Sequence, residues 1–182
     1  PEIPATVPPS ESIVLGAKLW EASPKMPNPR KSLINLNPAL MPAGVLGLGL
    51  MGHSIIACLL SAGHSVVGIT RSLARHRGTR RRVLDMLREM KRERLLKRDP
   101  DRLIERLTLS EDYRDLSVCG IVIESILEDI ATKKKAYRMI EEVVTPDAIL
   151  GSNTSAIPVT ILQEGARRPE RFVGIHWDEP AH

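Results

Sequence analysis

The sequence predicts an α/β fold, a doubly wound and mostly parallel sheet, with a proline-rich extension at the N-terminus. Three observations lead to this prediction. From residue 43 onward, short apolar segments alternate with segments of helical period, which is typical of a parallel sheet covered by helices on both faces. A glycine-rich turn joins the first apolar segment to the first helix. Residues 1–40, by contrast, show no sustained period of either kind.

The proline-rich extension is predicted to cover residues 1–41, and the folded domain residues 42–182. Segments such as PEIPATVPPSES contain too few apolar side chains to offset the entropy lost on ordering. We therefore expect a tail or a loosely docked segment. The alternative is that Met41 is the natural start and that the preceding residues are an upstream extension. The N-terminus has no basic segment followed by an apolar one, so no signal peptide is expected.

The strands and helices of the domain are predicted from apolar runs and their end signals. Helix 50–62 is apolar and ends at Gly63, and the basic helix 72–98 ends before Pro100, because proline cannot continue a helix. The other predicted helices are 101–107, 133–144 and 159–163. The predicted strands are 43–47, 65–70, 119–126, 148–153 and 171–177.

Charge and cysteine content limit the classes of function. Twelve Arg or Lys residues but three acidic residues lie between Arg71 and Arg98, which indicates either a solvated helix face or a site for a phosphate-bearing partner. No aromatic residue lies within 72–98, so base stacking by a nucleic-acid binder has little support. Cys58 and Cys119 match no metal-ligand spacing, and they indicate buried thiols in the reducing cytoplasm with no metal site.

The segment LGLGLMGHSII, residues 46–56, has two possible interpretations. Residues 40–60 are almost apolar enough for a membrane span, which needs about 20 such residues. Pro42 and four glycines argue against a span, since each glycine inside a helix costs roughly 0.8–1.0 kcal/mol relative to alanine. The spacing Gly-x-Gly-x-x-Gly, between a strand and a helix, instead favours a dinucleotide-binding turn. We therefore expect no membrane association.

Each glycine of this turn has a task in binding the diphosphate of a dinucleotide. Gly47 allows the tight turn, Gly49 lets the backbone approach the diphosphate, and Gly52 lets the helix pack closely on the strand. Leu50 and Met51 begin the helix, whose free N–H groups and partial positive charge attract the anion. Residues 42–182 are therefore predicted to form a dinucleotide-binding domain.

The end of the second strand bears on the choice between NAD and NADP. An acidic residue about 20 positions after the glycines normally bonds the ribose 2′-hydroxyl of NAD. Here the strand ends in Thr70 and Arg71, and a guanidinium binds phosphate well. The sequence therefore leaves NADP open as the cofactor. In the alternative interpretation, Arg71 stacks over the adenine or points into solvent.

Four motifs resemble the NAD-binding domain of the 3-hydroxyacyl-CoA dehydrogenases: GVLGLGLMGHSIIACLLSAGHSVVGI, IVIESILEDIATKK, AILGSNTSAIPVT and RPERFVGIHW. They follow one another in the order and spacing of that family, from residue 43 to about residue 181. The resemblance implies a Rossmann-type fold and a role in fatty acid metabolism. It also implies oxidation of the 3-hydroxyl of an acyl-CoA, or of a related 3-hydroxy acid, with hydride transfer to NAD or NADP.

The same resemblance implies roles for single residues. His176 matches the catalytic base, and histidine suits this task because its ordinary pKa is about 6.5. Ser155 matches the serine beside the substrate hydroxyl, and Asn153 lies in the same turn. Glu128 and Lys133 match cofactor-contacting positions, with ribose and the nicotinamide side as their partners. The alternative for these two is an acid at a helix start and an exposed lysine.

The chain also departs from the family pattern. The family continues after its histidine with aromatic residues and Asn-Pro, whereas this chain has Asp178 and Glu179 after Trp177. The carboxylate that pairs with the histidine, and the helical domain that closes the substrate site and forms the dimer, come later in the family. We therefore expect dinucleotide binding with weak or absent acyl-CoA oxidation. The alternative is a non-catalytic dinucleotide-binding module or one half of a split enzyme.

Overall fold

The computed structural model describes residues 41–178, and within them one sheet of six parallel strands forms. The predictions for residues 1–40, and for Glu179, lie outside the described residues. The strand order is β3-β2-β1-β4-β5-β6. The strands are β1 (Ala43–Leu46), β2 (Val66–Ile69), β3 (Leu107–Ser110), β4 (Ile121–Glu124), β5 (Ile149–Ser152) and β6 (Phe172–Gly174).

Helices connect successive strands of this sheet. The α-helices are α1 (Leu50–Ala62), α2 (Thr79–Arg92), α3 (Pro100–Ile104), α4 (Ile130–Glu141) and α5 (Val159–Leu162). Short 3₁₀ segments cover Leu73–His76, Tyr113–Val118 and Pro169–Arg171. Helix α1 begins and ends where the sequence predicts, and Gly63 closes it in the left-handed conformation with φ of 102°.

Alternate side chains along the strands supply two hydrophobic cores, one on each face of the sheet. Val45 and Ile123 pack with α1, α2 and α3, whereas Leu46 and Val122 pack with α4, α5 and the 3₁₀ turn before β4. Strands β1 and β2 are buried along their whole length, as a sheet covered on both faces requires. The predicted doubly wound parallel fold is confirmed, and it is Rossmann-like.

The sheet topology determines where a ligand can bind. The chain winds outward through β2 and β3, returns beside β1 as β4, and then winds the other way. In open α/β sheets of this kind, ligands bind outside the carboxyl ends of the strands at the point where the order reverses. That point lies between β1 and β4, and the glycine-rich turn follows β1 directly.

The predicted basic helix 72–98 is wrong as a single helix. A 3₁₀ turn ends at His76, α2 covers Thr79–Arg92, and the chain then leaves the helix at Arg94, whose φ is 62°. Gly78 separates the two helical pieces, and glycine is a weak helix former. A uniform basic composition carries no information about these breaks.

The predicted helix 101–107 is also wrong at its end, and one strand was not predicted. Helix α3 ends at Ile104, and β3 begins at Leu107. Strand β3 is short, lies at the edge of the sheet and exposes Thr108, so its side chains form no continuous apolar run. Its parallel register with β2 is a long-range contact that the local sequence does not reveal.

The membrane interpretation of residues 40–60 is not supported. Within residues 41–178, the structure contains no helix with the length and apolarity needed to cross a bilayer. The apolar segment is divided instead into β1, the glycine turn and the 13-residue helix α1.

Candidate functional site

The turn after β1 and the first turn of α1 each require glycine at one position. Gly47 has φ of 103°, and a Cβ atom on it would lie 2.4 Å from the carbonyl oxygen of Ser125. A Cβ atom on Gly52 would lie 2.0 Å from the carbonyl oxygen of Gly47. Gly49 differs, because a Cβ atom there would meet nothing within 4 Å. The backbone is therefore close-packed on both sides of Gly49 and open at Gly49 itself.

The start of α1 is suited to hold an anion. Gly49 is the N-cap residue, no side chain caps the helix, and its first turn contains no acidic residue. The first N–H groups of a helix have no partner within the helix, and they carry the positive end of its dipole. Leu50 and Met51 present such groups at the open position, and these residues fit the diphosphate of a dinucleotide.

A cleft of about 580 Å³ lies beside this turn. Gly47 and Gly49 line one side, and Thr70 and Arg71 at the end of β2 line another. Apolar residues of the remaining lining include Ile126, Ala136 and Met139, and polar ones include Tyr113, Thr132 and Lys135. Its size and its mixture of apolar walls with few polar groups are typical of cofactor sites. We refer to it as the cofactor cleft.

The end of β2 presents a cation, and no carboxylate follows the strand directly. Thr70 is buried and its Oγ1 accepts a hydrogen bond from the backbone N–H of Ser72 at 3.4 Å. Arg71 is exposed on the cleft beside Tyr113. Burial raises the pKa of Tyr113, and the charge of Arg71 opposes that rise. The nearby Glu111 accepts a hydrogen bond from the backbone N–H of Leu73 at 2.6 Å.

A buried carboxylate at the end of β4 connects several elements of the site. Glu124 is fully buried and accepts hydrogen bonds from Lys133 Nζ at 2.5 Å and from the hydroxyl of Tyr137 at 2.6 Å. It also accepts from Ser152 Oγ at 2.8 Å and from the backbone N–H of Ile126 at 2.7 Å. Helix α4, β5 and the turn after β4 therefore share this one carboxylate. We call these residues the Glu124 cluster.

Lys133 is buried between two carboxylates. Its Nζ also lies 3.2 Å from Glu128 Oε2, and Glu128 in turn accepts hydrogen bonds from Thr154 Oγ1 and from the backbone N–H of Ala156. Burial opposes ionisation of Glu128, but the hydrogen bonds from Thr154 and Lys133 outweigh it and lower its pKa. The alternative of an exposed lysine is wrong. The ammonium group instead holds Glu128 at the site.

The three predicted catalytic residues lie at the carboxyl ends of β5 and β6. Asn153 donates from Nδ2 to Ser125 Oγ at 3.2 Å and accepts at Oδ1 from the backbone N–H of Trp177 at 2.8 Å. It thus fixes the segment that carries His176. Ser155 is exposed in the turn after β5. Among the described residues, no hydrogen bond joins Ser155 to His176.

The side chain of His176 is 49% exposed, and its Nε2 lies 3.8 Å from Oδ1 of Asp178. The Asp178 side chain is 95% exposed. An ion pair this open to solvent contributes little to orienting a ring. A histidine at this position can accept a proton, and the contact with Asp178 gives it only weak support.

Sequence reasoning did not find Glu124, Tyr137 or Ser152. One signal was present, because Glu124 is an acid at the end of the apolar run IVIE, where an unpaired charge would be costly. Its partners come from positions nine, 13 and 28 residues away in sequence. Only the folded chain brings them together.

Comparison with known proteins agrees with this geometry. A family model described as "3-hydroxyacyl-CoA dehydrogenase, NAD binding domain" matches residues 42–182. The chain belongs to this family. The 3-hydroxybutyryl-CoA dehydrogenase of Mycobacterium tuberculosis is 34% identical over 147 residues, which are 80% of this chain and 51% of that protein. The crystal structure of M. tuberculosis FadB2 superposes with a TM-score of 0.71 at 34% identity, covering 76% of this chain and 50% of that one.

A relative whose name describes a different dehydrogenase has the same sequence identity to this chain. The 5-formyl-3-hydroxy-2-methylpyridine 4-carboxylate 5-dehydrogenase of Mesorhizobium japonicum is 34% identical over 139 residues, which are 76% of this chain and 44% of that protein. The chain thus spans about half the length of the curated relatives that it matches. It is an NAD-binding domain of the 3-hydroxyacyl-CoA dehydrogenase type, a family of oxidoreductases.

Proposed function

We propose that this chain is the dinucleotide-binding part of an oxidoreductase that oxidises the 3-hydroxyl of an acyl-CoA or of a related small 3-hydroxy acid. The observation that carries this proposal is the open position at Gly49. It lies between two close-packed glycines, at the start of α1 and beside the cofactor cleft. The diphosphate is held against the N–H groups of the helix by five residues, namely Gly47, Gly49, Leu50, Met51 and Gly52.

The groups at the ends of β5 and β6 serve the substrate in this proposal. When bound, the nicotinamide supplies the hydride acceptor. His176 removes the proton of the 3-hydroxyl as that carbon becomes a ketone, and Ser155 donates a hydrogen bond that orients the substrate oxygen. Asn153 positions His176, because its amide joins Ser125 on one side and the backbone of Trp177 on the other.

Glu128 and Lys133 serve the cofactor in this proposal. The carboxylate of Glu128 is partly exposed and accepts a hydrogen bond from a ribose hydroxyl. Lys133 acts through Glu128, since its ammonium is buried between Glu124 and Glu128.

Thr70 and Arg71 bear on the identity of the cofactor. NAD fits the family, and the cation at the end of β2 allows NADP as well. We further propose a cytoplasmic enzyme, in which Cys58 and Cys119 form no disulfide bond and stay reduced.

A second candidate function has a specific observation in its favour. His176 is half exposed, and the described residues do not close over it. The chain could therefore act as a non-catalytic dinucleotide-binding module, or as one half of a split enzyme that closes and dimerises through a helical domain. Adding that domain in trans separates these cases, since restored turnover supports the split enzyme.

The decisive test is calorimetric titration of the chain with NADH and with NADPH. Binding of either one at micromolar concentration supports the proposal, and binding that is lost in Gly49→Ala locates it at the turn. The proposal is wrong if neither cofactor produces heat at millimolar concentration while the protein stays folded by circular dichroism.

A further inference from the structure

A second cleft of about 500 Å³ adjoins the cofactor cleft at the glycine turn. Leu48, Gly49 and His53 line one side of it, and residues of the 3₁₀ turn before α2 and of α2 itself line the other. Gly49 and His76 line both clefts. The clefts therefore meet where Gly49 faces the segment that follows β2.

Cationic side chains line both of the clefts that meet at this junction. Arg71 lines the cofactor cleft, and Arg75, His76 and Arg82 line the second one. Within residues 41–178, Arg71, Arg75 and Arg82 form no ion pair, although the neighbouring Arg81 pairs with Asp85 at 3.9 Å. Unpaired like charges repel one another, and a bound anion removes that repulsion.

The second cleft also contains two carboxylates. Asp85 and Glu89 lie on its wall, about one and two turns of α2 beyond Arg82. His76 and Arg75 come before the helix. The cleft is thus cationic at the end that meets the cofactor cleft and acidic further along α2.

His53 shows the effect of these charges. Its Nε2 lies 3.1 Å from Oγ1 of Thr79 at the start of α2, and the residue is 2% exposed. Burial lowers the pKa of His53 to about 4, and the charges of Arg82 and His76 contribute to the same shift. The imidazole is neutral at pH 7, so it joins α1 to α2 without neutralising an anion bound nearby.

We propose that the junction of the two clefts binds the 2′-phosphate of NADP, with Arg71, Arg75, His76 and Arg82 as its cationic lining. The inference rests on the proposed function, which places the diphosphate at Gly49 and the adenosine ribose at the end of β2. The 2′-phosphate is carried on that ribose. Guanidinium groups bind a phosphate through paired, charge-assisted hydrogen bonds. The preferred cofactor of this chain is accordingly NADP.

The test uses three adenosine phosphates that differ in the position of one group. The 182-residue chain is titrated with 5′-AMP, 2′,5′-ADP and 3′,5′-ADP at physiological salt. We expect 2′,5′-ADP to bind about tenfold or more tightly than either of the others, because it alone carries the phosphate on the correct oxygen. In Arg82→Ala, its affinity is expected to fall about tenfold, while that of 5′-AMP changes less than about twofold.

Arg81→Ala is the matched control, since it removes the same charge from the next position of α2. Arg81 is exposed, pairs with Asp85 and lines neither cleft, so we expect a change below about twofold. Arg75→Ala, which lies outside the α-helix, repeats the test if Arg82→Ala is unstable to thermal unfolding.

Three results would overturn the inference. Equal affinities for 5′-AMP and 2′,5′-ADP mean that no subsite for the phosphate exists. A preference for 3′,5′-ADP assigns the junction to a phosphate of a CoA-like ligand instead. Equal losses of affinity for 2′,5′-ADP in Arg81→Ala and Arg82→Ala show that positive charge attracts the ligand without a specific site. In each case, NADH binding to the unchanged chain leaves the proposed function intact. Failure of NADH and NADPH alike counts against both.

Discussion

Glu124 and Lys133 show how single residues stabilise the candidate site. Transfer of an ion into the protein interior costs several kcal/mol unless it is paired and fully hydrogen-bonded. Glu124 meets this condition with four donors from α4, β5 and the turn after β4. Lys133 meets it with two carboxylates. These interactions hold Glu128 and the turn with Asn153 in place.

Lys133→Met is expected to lower the free energy of unfolding by about 3 kcal/mol or more, because Glu124 is left as a buried carboxylate without its cation. Urea unfolding measures this value. The double variant Glu124→Gln/Lys133→Met should recover part of the loss. Lys134→Met, which breaks the more exposed pair with Glu164, serves as control and should cost less than about 1 kcal/mol. An equal decrease in the free energy of unfolding for Lys133→Met and Lys134→Met would contradict the prediction that the buried ion pair matters more than the exposed one.

His53 is expected to make the stability depend on pH. The folded pKa is about 4, below the ordinary value of 6.5, so between these values the unfolded chain binds a proton that the folded chain does not. The contribution of His53 is therefore complete above pH 6.5 and is lost as the pH falls toward 4. The loss is on the order of 3 kcal/mol. Urea unfolding of the unchanged chain and of His53→Gln between pH 7 and pH 4 measures it as a difference. Parallel curves for the two proteins would count against this prediction.

The glycine turn and the segment after β2 show how elements form from local sequence. Helix α1 has an apolar composition, a glycine at each end and a strand before it, and its bounds were predicted without error. The basic segment after β2 lacks such signals, and it forms a 3₁₀ turn, α2 and an irregular piece. Arg80 of α2 donates to the carbonyl oxygens of Ile104 and Leu107 at 2.6 Å each, which orders α3 and β3 against it.

Gly49→Ala and Gly52→Ala should separate cofactor binding from folding. The methyl group at position 49 meets nothing in the protein, so the free energy of unfolding should fall by no more than about 1 kcal/mol, the cost of a weaker N-cap. Its affinity for dinucleotide should nevertheless fall about tenfold or more, because the methyl group occupies the approach to the diphosphate. Gly52→Ala places a methyl group 2.0 Å from a backbone oxygen and should destabilise the fold itself. Calorimetry and thermal unfolding measure the two effects. Unchanged cofactor binding in Gly49→Ala would exclude the turn as the binding site.

At the scale of the whole molecule, the parallel sheet gathers side chains that are far apart in sequence. One edge of the sheet is formed by the carboxyl ends of the strands. Five strands each bring one residue of the candidate site to it: Gly47 (β1), Thr70 (β2), Glu124 (β4), Asn153 (β5) and His176 (β6). Parallel strands have their carboxyl ends at the same edge, so this convergence follows from the topology alone. A formed cleft lies beside the ends of β1 and β2 at this edge, whereas His176 is half exposed.

The 182-residue chain by itself should therefore bind dinucleotide but oxidise 3-hydroxybutyryl-CoA slowly. The contact with Asp178 is too exposed to orient His176 or to stabilise the imidazolium that the proposed proton transfer would form. Loss of such a partner costs about a hundredfold or more in turnover. Reduction of NAD and NADP, followed by absorbance, measures the rate against a full-length 3-hydroxybutyryl-CoA dehydrogenase. Turnover equal to that of the full-length enzyme would contradict this prediction and show that the 182-residue chain is sufficient.

By itself, the sequence determined five of the six strands, helix α1, the glycine turn and the family. Each of these features depends on residues that are neighbours in sequence or on the order of motifs along the chain, and both are visible in the sequence itself. Only the tertiary structure decided that Lys133 is buried between Glu124 and Glu128, that β3 joins the sheet, and that Arg71, Arg75 and Arg82 line two clefts that share Gly49. These features depend on contacts between residues distant in sequence, and such contacts exist only once the two cores have closed on the sheet.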